Sequence, residues 1–353
     1  MPLRSLVTKL QETALTGELD ERSSRPERLL LRGAGRCSRA LVASALSQRR
    51  GAPLLVVVPT LEEAGRWTAL LELMGWNQAT LYPTSEGSPY EPFDPTSEIT
   101  WGQLQVLSDL LGEPDATSWA IVATERCLQP HLPPPDVLKM KTRTLRKGDE
   151  VDLEALGETL AQLGYERVTT IEQEGSWSRR GDIVDIFPVS CELPVRLEFF
   201  GEELDKLREF DPASQRSLDP VDALRLTPTG FGPLIADQLR ETMPEVLEQL
   251  LGAEGTEQLL NGGTPEGMRR LMGLAWGQPA SLLDYLPDTT TVVIDERRQG
   301  LAHGQQWLSH VEEHHHDMAA EAGLDEGDCD RLWPAVLHRE IKAAYALTDV
   351  FHG

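Results

Sequence analysis

The spacing of apolar residues along the chain changes character twice. Leu54 to Val58 and Trp119 to Thr124 are unbroken apolar runs, the pattern of strands buried on both faces. Residues 61–74 read as a helix, and Ala79-Thr80-Leu81-Tyr82 reads as a further strand. Upstream, Leu29-Leu30-Leu31 reads as a short buried strand, followed by a glycine turn and a helix over RALVASALSQRR. Apolar strands alternating with helices predict an α/β fold with a parallel sheet.

The pattern shifts at PHLPPPD, residues 130–136, whose prolines mark a boundary. Asp152 is a good N-cap for a helix that ends at Gly164. Four strand-like runs follow, at 167–174, 182–187, 195–200 and 204–210, and predict a compact α+β unit ending near Pro228. Within it, Trp177 to Leu218 alternates like strands and turns on a Phe200-Gly201-Glu202 corner. The rest opens with helices rich in Leu, Glu and Gly. It then reaches a β-branched strand, Thr291 to Ile294, ending in Asp295-Glu296, and a long polar helix carrying His303, His310 and His314 to His316. The expected division is 1–132, 136–228 and 229–353, and the uncapped ending TDVFHG predicts a chain cut from something longer.

Charge narrows the function classes. The 353 residues carry 33 basic and 57 acidic side chains, a net charge of -24. That argues against a broad basic surface for nucleic acid, while leaving room for a local patch. Cys37, Cys127, Cys191 and Cys329 form no CxxC pair and read as reduced thiols rather than a zinc site. The N-terminus MPLRSLVTKLQETALTG is amphipathic, without the apolar core of a signal peptide. No apolar run approaches the ~18 residues of a membrane span. The expectation is a cytoplasmic protein with no membrane contact.

The turn before the first long helix is the place for a phosphate-binding loop, which needs GxxxxGK[ST] so that backbone amides and a lysine neutralise phosphates. Aligning Ser38 with the hydroxyl position puts Leu31 and Arg36 where the glycines belong and Cys37 where the lysine belongs. Gly33, Gly35, Arg36, Cys37 and Ser38 thus keep the outline of a loop without its chemistry, and Arg36 is a poor replacement for the lysine. Asp295-Glu296 fits the acidic pair that holds magnesium in such sites, and fits equally a polar turn that ends a strand. No nucleotide cofactor is expected. His310 and His314 stand one helical turn apart, a spacing open to a metal but more typical of a solvated face, so no metal is expected. The basic run Lys139, Lys141, Arg143, Arg146 and Lys147 fits nucleic-acid contact less well than an edge strand protected by charge.

Arginines at Arg179, Arg180, Arg196, Arg208 and Arg216 stand out on acidic ground. Arg180, Arg196 and Phe200 have the composition of a protein-docking face, with Arg196 and Glu198 two apart on one strand face. Intramolecular pairing of Arg196 with Glu198 or Asp182, and a core Phe200, fits the same composition; both readings stay open.

RRGDIVDIFP and PVRLEFFGEELDKLREFDPASQRSL resemble the second domain shared by the excinuclease B protein and the bacterial transcription-repair coupling factors, and LLDYLPDTTTVVIDE resembles the acidic-motif region of that module. The failed phosphate loop and the absence of a tyrosine-rich hairpin around LYPTSEGSPYEPFDPTSEITWGQLQVL favour the coupling factors. The resemblance implies a degenerate helicase-like sheet of the P-loop NTPase type (domains 1a and 1b) with a small α+β domain inserted between them. It implies a non-catalytic adaptor in transcription-coupled excision repair, whose inserted domain recruits the excinuclease A protein through Arg180, Arg196 and Phe200, with Glu198 beside them. In the family, RNA polymerase displacement and ATP-driven translocation on DNA belong to C-terminal parts that this module packs against and restrains. Weak or no DNA contact is expected of the module itself. The alternative is an ATP-dependent DNA-binding helicase component resembling the excinuclease B protein.

Overall fold

A computed structural model describes residues 3–23, 30–91, 95, 97–112, 119–240 and 244–321. Three helices open it: α1 (Leu3–Gln11), α2 (Ala14–Ser23) and α3 (Arg36–Arg50). Then come β1 (Leu54–Val58), α4 (Leu61–Leu73), β2 (Gln78–Leu81), α5 (Ser97–Leu111) and β3 (Trp119–Thr124). A middle stretch holds α6 (Pro135–Lys141), β4 (Arg143–Arg146), α7 (Leu153–Gln162), β5 (Glu166–Arg167), β6 (Ser176–Arg180) and β7 (Ile183–Phe187). It continues through β8 (Val195–Phe200), β9 (Glu203–Phe210), β10 (Ser217–Pro220) and β11 (Ala223–Leu226). The chain then runs through α8 (Gly232–Leu239), α9 (Pro244–Leu260), α10 (Met272–Ala275), β12 (Thr291–Ile294) and α11 (Arg297–Glu321). Gly252, at φ +71, breaks α9.

The fold is α/β. One sheet is wholly parallel, in the order β12-β1-β3-β2. Its central strands are apolar throughout because both faces are covered. Leu54, Val56 and Val58 pack with Val7, Trp67 and Leu71 on one side, while Leu55 and Val57 pack with Leu104, Phe231 and Leu282 on the other. Thr60 caps α4 by accepting the Glu63 amide, as its position before LEEAGRW requires.

After β3 the chain leaves this sheet and returns to it only as β12, which pairs in parallel with β1. Between these points it builds a six-stranded sheet, β10-β9-β8-β7-β6-β5, and a ribbon of β4 against β11. Asp152 caps α7 as expected, accepting the Glu154 and Ala155 amides. Leu156, Leu160 and Leu163 bury against Trp177, Val184, Ile186, Val195, Leu197 and Leu207. Gly157 lets α7 approach the sheet closely; a Cβ there would lie 3.0 Å from the Trp177 ring. Two side chains tie this region to the first sheet's helices: Arg225 donates to the Ser108 carbonyl (2.5 Å) in the last turn of α5, and the Trp101 indole donates to Thr229 O (3.0 Å).

Two expected strands are corrected. Leu30 and Leu31 join no sheet and are 65% and 44% exposed; Leu29 lies outside the described residues. Two leucines before a glycine turn find no partner strand to bury them. The strand expected at 167–174 is instead Glu166–Arg167 followed by a loop, and the next strand begins at Ser176 after Gly175 turns at φ +75. The basic run splits: Lys139 and Lys141 belong to α6, and Arg143 and Arg146 belong to β4.

Candidate functional site

The six-stranded sheet has one face on α7 and one face outward. Along β8, Val195, Leu197 and Phe199 enter the core, so Arg196, Glu198 and Phe200 must point the other way. Register carries that face across the sheet. One row runs Ser178, Asp185, Arg196, Arg208, and the next runs Arg180, Ile183, Glu198, Lys206. Gly201, at φ +66, forms the tight β8–β9 corner and leaves Phe200 at its tip, 83% exposed.

Asp185 organises the first row. Its side chain is 1% exposed, and both oxygens are taken. Arg196 grips it with two bonds, Nε to Oδ1 at 2.7 Å and Nη2 to Oδ2 at 2.9 Å. Arg180 adds a third, Nη2 to Oδ2 at 2.8 Å. Arg196 also lies over the Phe210 ring at 4.8 Å and reaches the Gln215 carbonyl at 3.4 Å. Asp185 raises the Arg196 pKa above its usual value through that fork. A guanidinium stacked, forked and only 15% exposed is a structural anchor. Arg180 differs: its side chain is 56% exposed, and among the described residues Asp185 is its one partner.

These contacts differ from the intramolecular pairings that the sequence left open. Arg196 is bound by Asp185, not by Glu198 or Asp182. Glu198 faces Lys206, at 3.4 Å. Phe200 is not in the core. Arg180, Ile183 and Phe200 are the exposed side chains at this end of the face, Ile183 being 37% exposed. Asp185 itself escaped the sequence reading. An acid inside IVDIF looks like an outward polar position, and only the cross-strand register reveals the two arginines that bury it.

The other candidate lies at the carboxyl edge of the parallel sheet. Gly33 (φ +74) and Gly35 precede α3, and Gly35 is its N-cap. Arg36 is engaged by Glu63, and Cys37 is exposed. Asp295 ends β12, its amide donating to Val57 O at 2.8 Å, and Glu296 follows at φ +46. The two acids meet Arg39 of α3, whose Nη1 pairs with Asp295 and with Glu296 (2.7 Å). The Trp67 indole takes the other Asp295 oxygen at 2.8 Å. One internal cation therefore occupies the acidic pair.

On α11 the His310 and His314 rings stack at 6.3 Å, and among the described residues no group of three His, Cys, Asp or Glu could hold a metal ion. Of the cysteines, Cys127 is buried with its pKa pushed up, Cys191 is partly buried, and Cys329 lies outside the described residues. Among the described residues no helix is long and apolar enough to cross a membrane.

Residues 144–230, which contain the six-stranded sheet, match the UvrB interaction domain. The chain is also similar to curated proteins named transcription-repair-coupling factor. That of Mycobacterium bovis is 31% identical over 310 residues, covering 83% of this chain and 25% of the relative. That of Escherichia coli K12 is 28% identical over 280 residues, covering 76% and 23%. That of Bacillus subtilis is 27% identical over 286 residues, covering 76% and 24%. The resemblance seen in the sequence is thus borne out, and the chain spans about a quarter of the length of the curated relatives it matches.

Proposed function

We propose that this chain is a protein-docking module of the coupling-factor type, recruiting the excinuclease A protein in transcription-coupled excision repair through the outer face of its six-stranded sheet. The observation that carries the reading is Phe200, 83% exposed at a rigid hairpin corner on the same face as the half-exposed Arg180, within the stretch matching the UvrB interaction domain. An exposed aromatic fixed on a sheet beside an arginine is the composition of an interface anchor.

The reading divides the chain into a degenerate helicase-like, P-loop-type sheet domain at 1–132, an inserted docking domain at 136–228, and a part at 229–353 that completes the first. The return of β12 to the sheet of β1 supports that division. The module is non-catalytic in this account and binds no ATP. Arg39 in the acidic pair, and Arg36 turned to Glu63, support that, since both cations serve internal carboxylates. A cytoplasmic location follows from the repair role. The polymerase-binding and ATP-driven translocase parts that the resemblance implies would lie elsewhere in a longer protein, with DNA contacts of this module weak or missing.

The test is calorimetric titration with the excinuclease A protein. Phe200→Ala and Arg180→Ala should each weaken binding about 30-fold, the loss expected for an interface anchor of ~2 kcal/mol. The melting temperature should change little, because Phe200 is exposed and Asp185 keeps the two-bond grip of Arg196 when Arg180 is removed. Unchanged affinity in both variants would overturn the reading.

A further inference from the structure

We infer that Asp185 is the positioning residue of this docking face: it fixes the Arg180 guanidinium in its outward pose, and Arg196 serves the face through Asp185 rather than by touching the partner. The inference rests on the docking reading and refines it, because it separates two arginines that the sequence treats alike.

Geometry separates them. Arg196 is 15% exposed and spends its fork on Asp185, its face on Phe210 and its remaining nitrogen on the Gln215 carbonyl. Its Nη1 also lies 3.5 Å from the Ser217 hydroxyl, so each of its nitrogens already faces a group of this chain. Arg180 is 56% exposed and gives Asp185 one Nη2 hydrogen bond, keeping the rest of its planar donor set for a partner. A long arginine side chain loses considerable rotamer freedom when a partner captures it. A carboxylate that already holds one nitrogen in place removes part of that loss before the partner arrives. Asp185 can do so only because it is itself immobile, 1% exposed and forked by Arg196 from the adjacent strand.

The charge ratio points the same way. Two guanidiniums share one carboxylate, so the cluster keeps a surplus positive charge, and Arg180 is where it reaches solvent. The feature it would meet on the excinuclease A protein is a carboxylate beside an apolar socket for Phe200. Glu198, in the same row as Arg180 but two strands away, pairs with Lys206 on the strand beyond it.

A double-mutant cycle on the full chain tests the assignment, with affinity for the excinuclease A protein as the readout. Asp185→Asn should weaken binding about 10-fold in the wild-type background and less than about 2-fold in the Arg180→Ala background, because its effect travels through Arg180. An Asp185 that only held the fold together would give the same factor in both backgrounds, and that additivity would overturn the inference. Should Asp185→Asn melt below the assay temperature, Arg196→Lys carries the same cycle. It keeps the charge but loses the fork, and its weakening should likewise vanish in Arg180→Ala. A loss that persists there means that Arg196 touches the partner itself, and the inference falls. If Arg180→Ala and Phe200→Ala leave affinity unchanged, the docking reading fails and takes this inference with it. If they weaken binding while Asp185→Asn and Arg196→Lys do not, the docking reading stands and this inference alone falls.

Discussion

Two arginine–carboxylate clusters, one on each large sheet, use the same chemistry in opposite proportions. At the edge of the parallel sheet one guanidinium, Arg39, serves two acids, Asp295 and Glu296. On the outer face of the antiparallel strands one acid, Asp185, serves two guanidiniums, Arg180 and Arg196. The first arrangement consumes its cation and closes; the second has a cation to spare and presents it. The ratio, more than the residue types, separates the sealed site from the proposed docking surface. Buried ion pairs gain little net stability once desolvation is counted, yet removing one partner is expensive. Each cluster should therefore respond sharply to loss of its shared member.

The largest effect on stability is expected at Arg39. Arg39→Ala strands Asp295, whose side chain is 3% exposed, and should lower unfolding free energy by about 3 kcal/mol in a denaturant titration. Affinity for the excinuclease A protein should not change. A variant as stable as the parent would mean that the acidic pair does not depend on that cation.

A second effect, on the pH dependence of stability, sharpens the contrast with a buried acid that forms no ion pair among the described residues. Glu125, just after β3, is buried at the same sheet edge, its Oε2 has no hydrogen-bond partner, and desolvation pushes its pKa up to about 7. Its folded pKa is raised, so its favourable contribution is complete below the ordinary glutamate range and is lost as pH rises through about 7. Stability should therefore fall by about 3 kcal/mol between roughly pH 4.5 and 8 on this group's account. Glu125→Gln should remove most of that slope in a series of melts. An unchanged slope would show that Glu125 is not the group responsible.

The smallest expected signal is with nucleotide. Titration with ATP and magnesium should give no micromolar binding, since Arg36 and Arg39 serve Glu63, Asp295 and Glu296. Micromolar affinity would reopen the sealed edge as a working site.

Legibility in the sequence followed how local each signal was. β1, β3 and β12 could be read because burial on both faces, or a β-branched run, writes itself into consecutive residues. β8 could be read from strict alternation. β6 was misplaced because Ser-Trp-Ser-Arg-Arg holds a single apolar residue, and Trp177 reveals its strand only by packing under α7 near Gly157. Leu30 and Leu31 misled for the opposite reason: apolar residues in a row do not make a strand without a neighbour to bond. The proposed docking face was half legible. Arg180 and Phe200 drew attention as an arginine and an aromatic on acidic ground. Which arginine is spent inside and which is offered outside depends on the Asp185–Arg196 register, a pairing between strands that no local pattern contains.

The most direct measurement compares affinity for the excinuclease A protein between Phe200→Ala and Arg39→Ala, one substitution for each cluster's sheet. The account predicts about a 30-fold loss in the first and none in the second. An unchanged Phe200→Ala beside a weakened Arg39→Ala would place the docking surface on the parallel sheet and contradict the account.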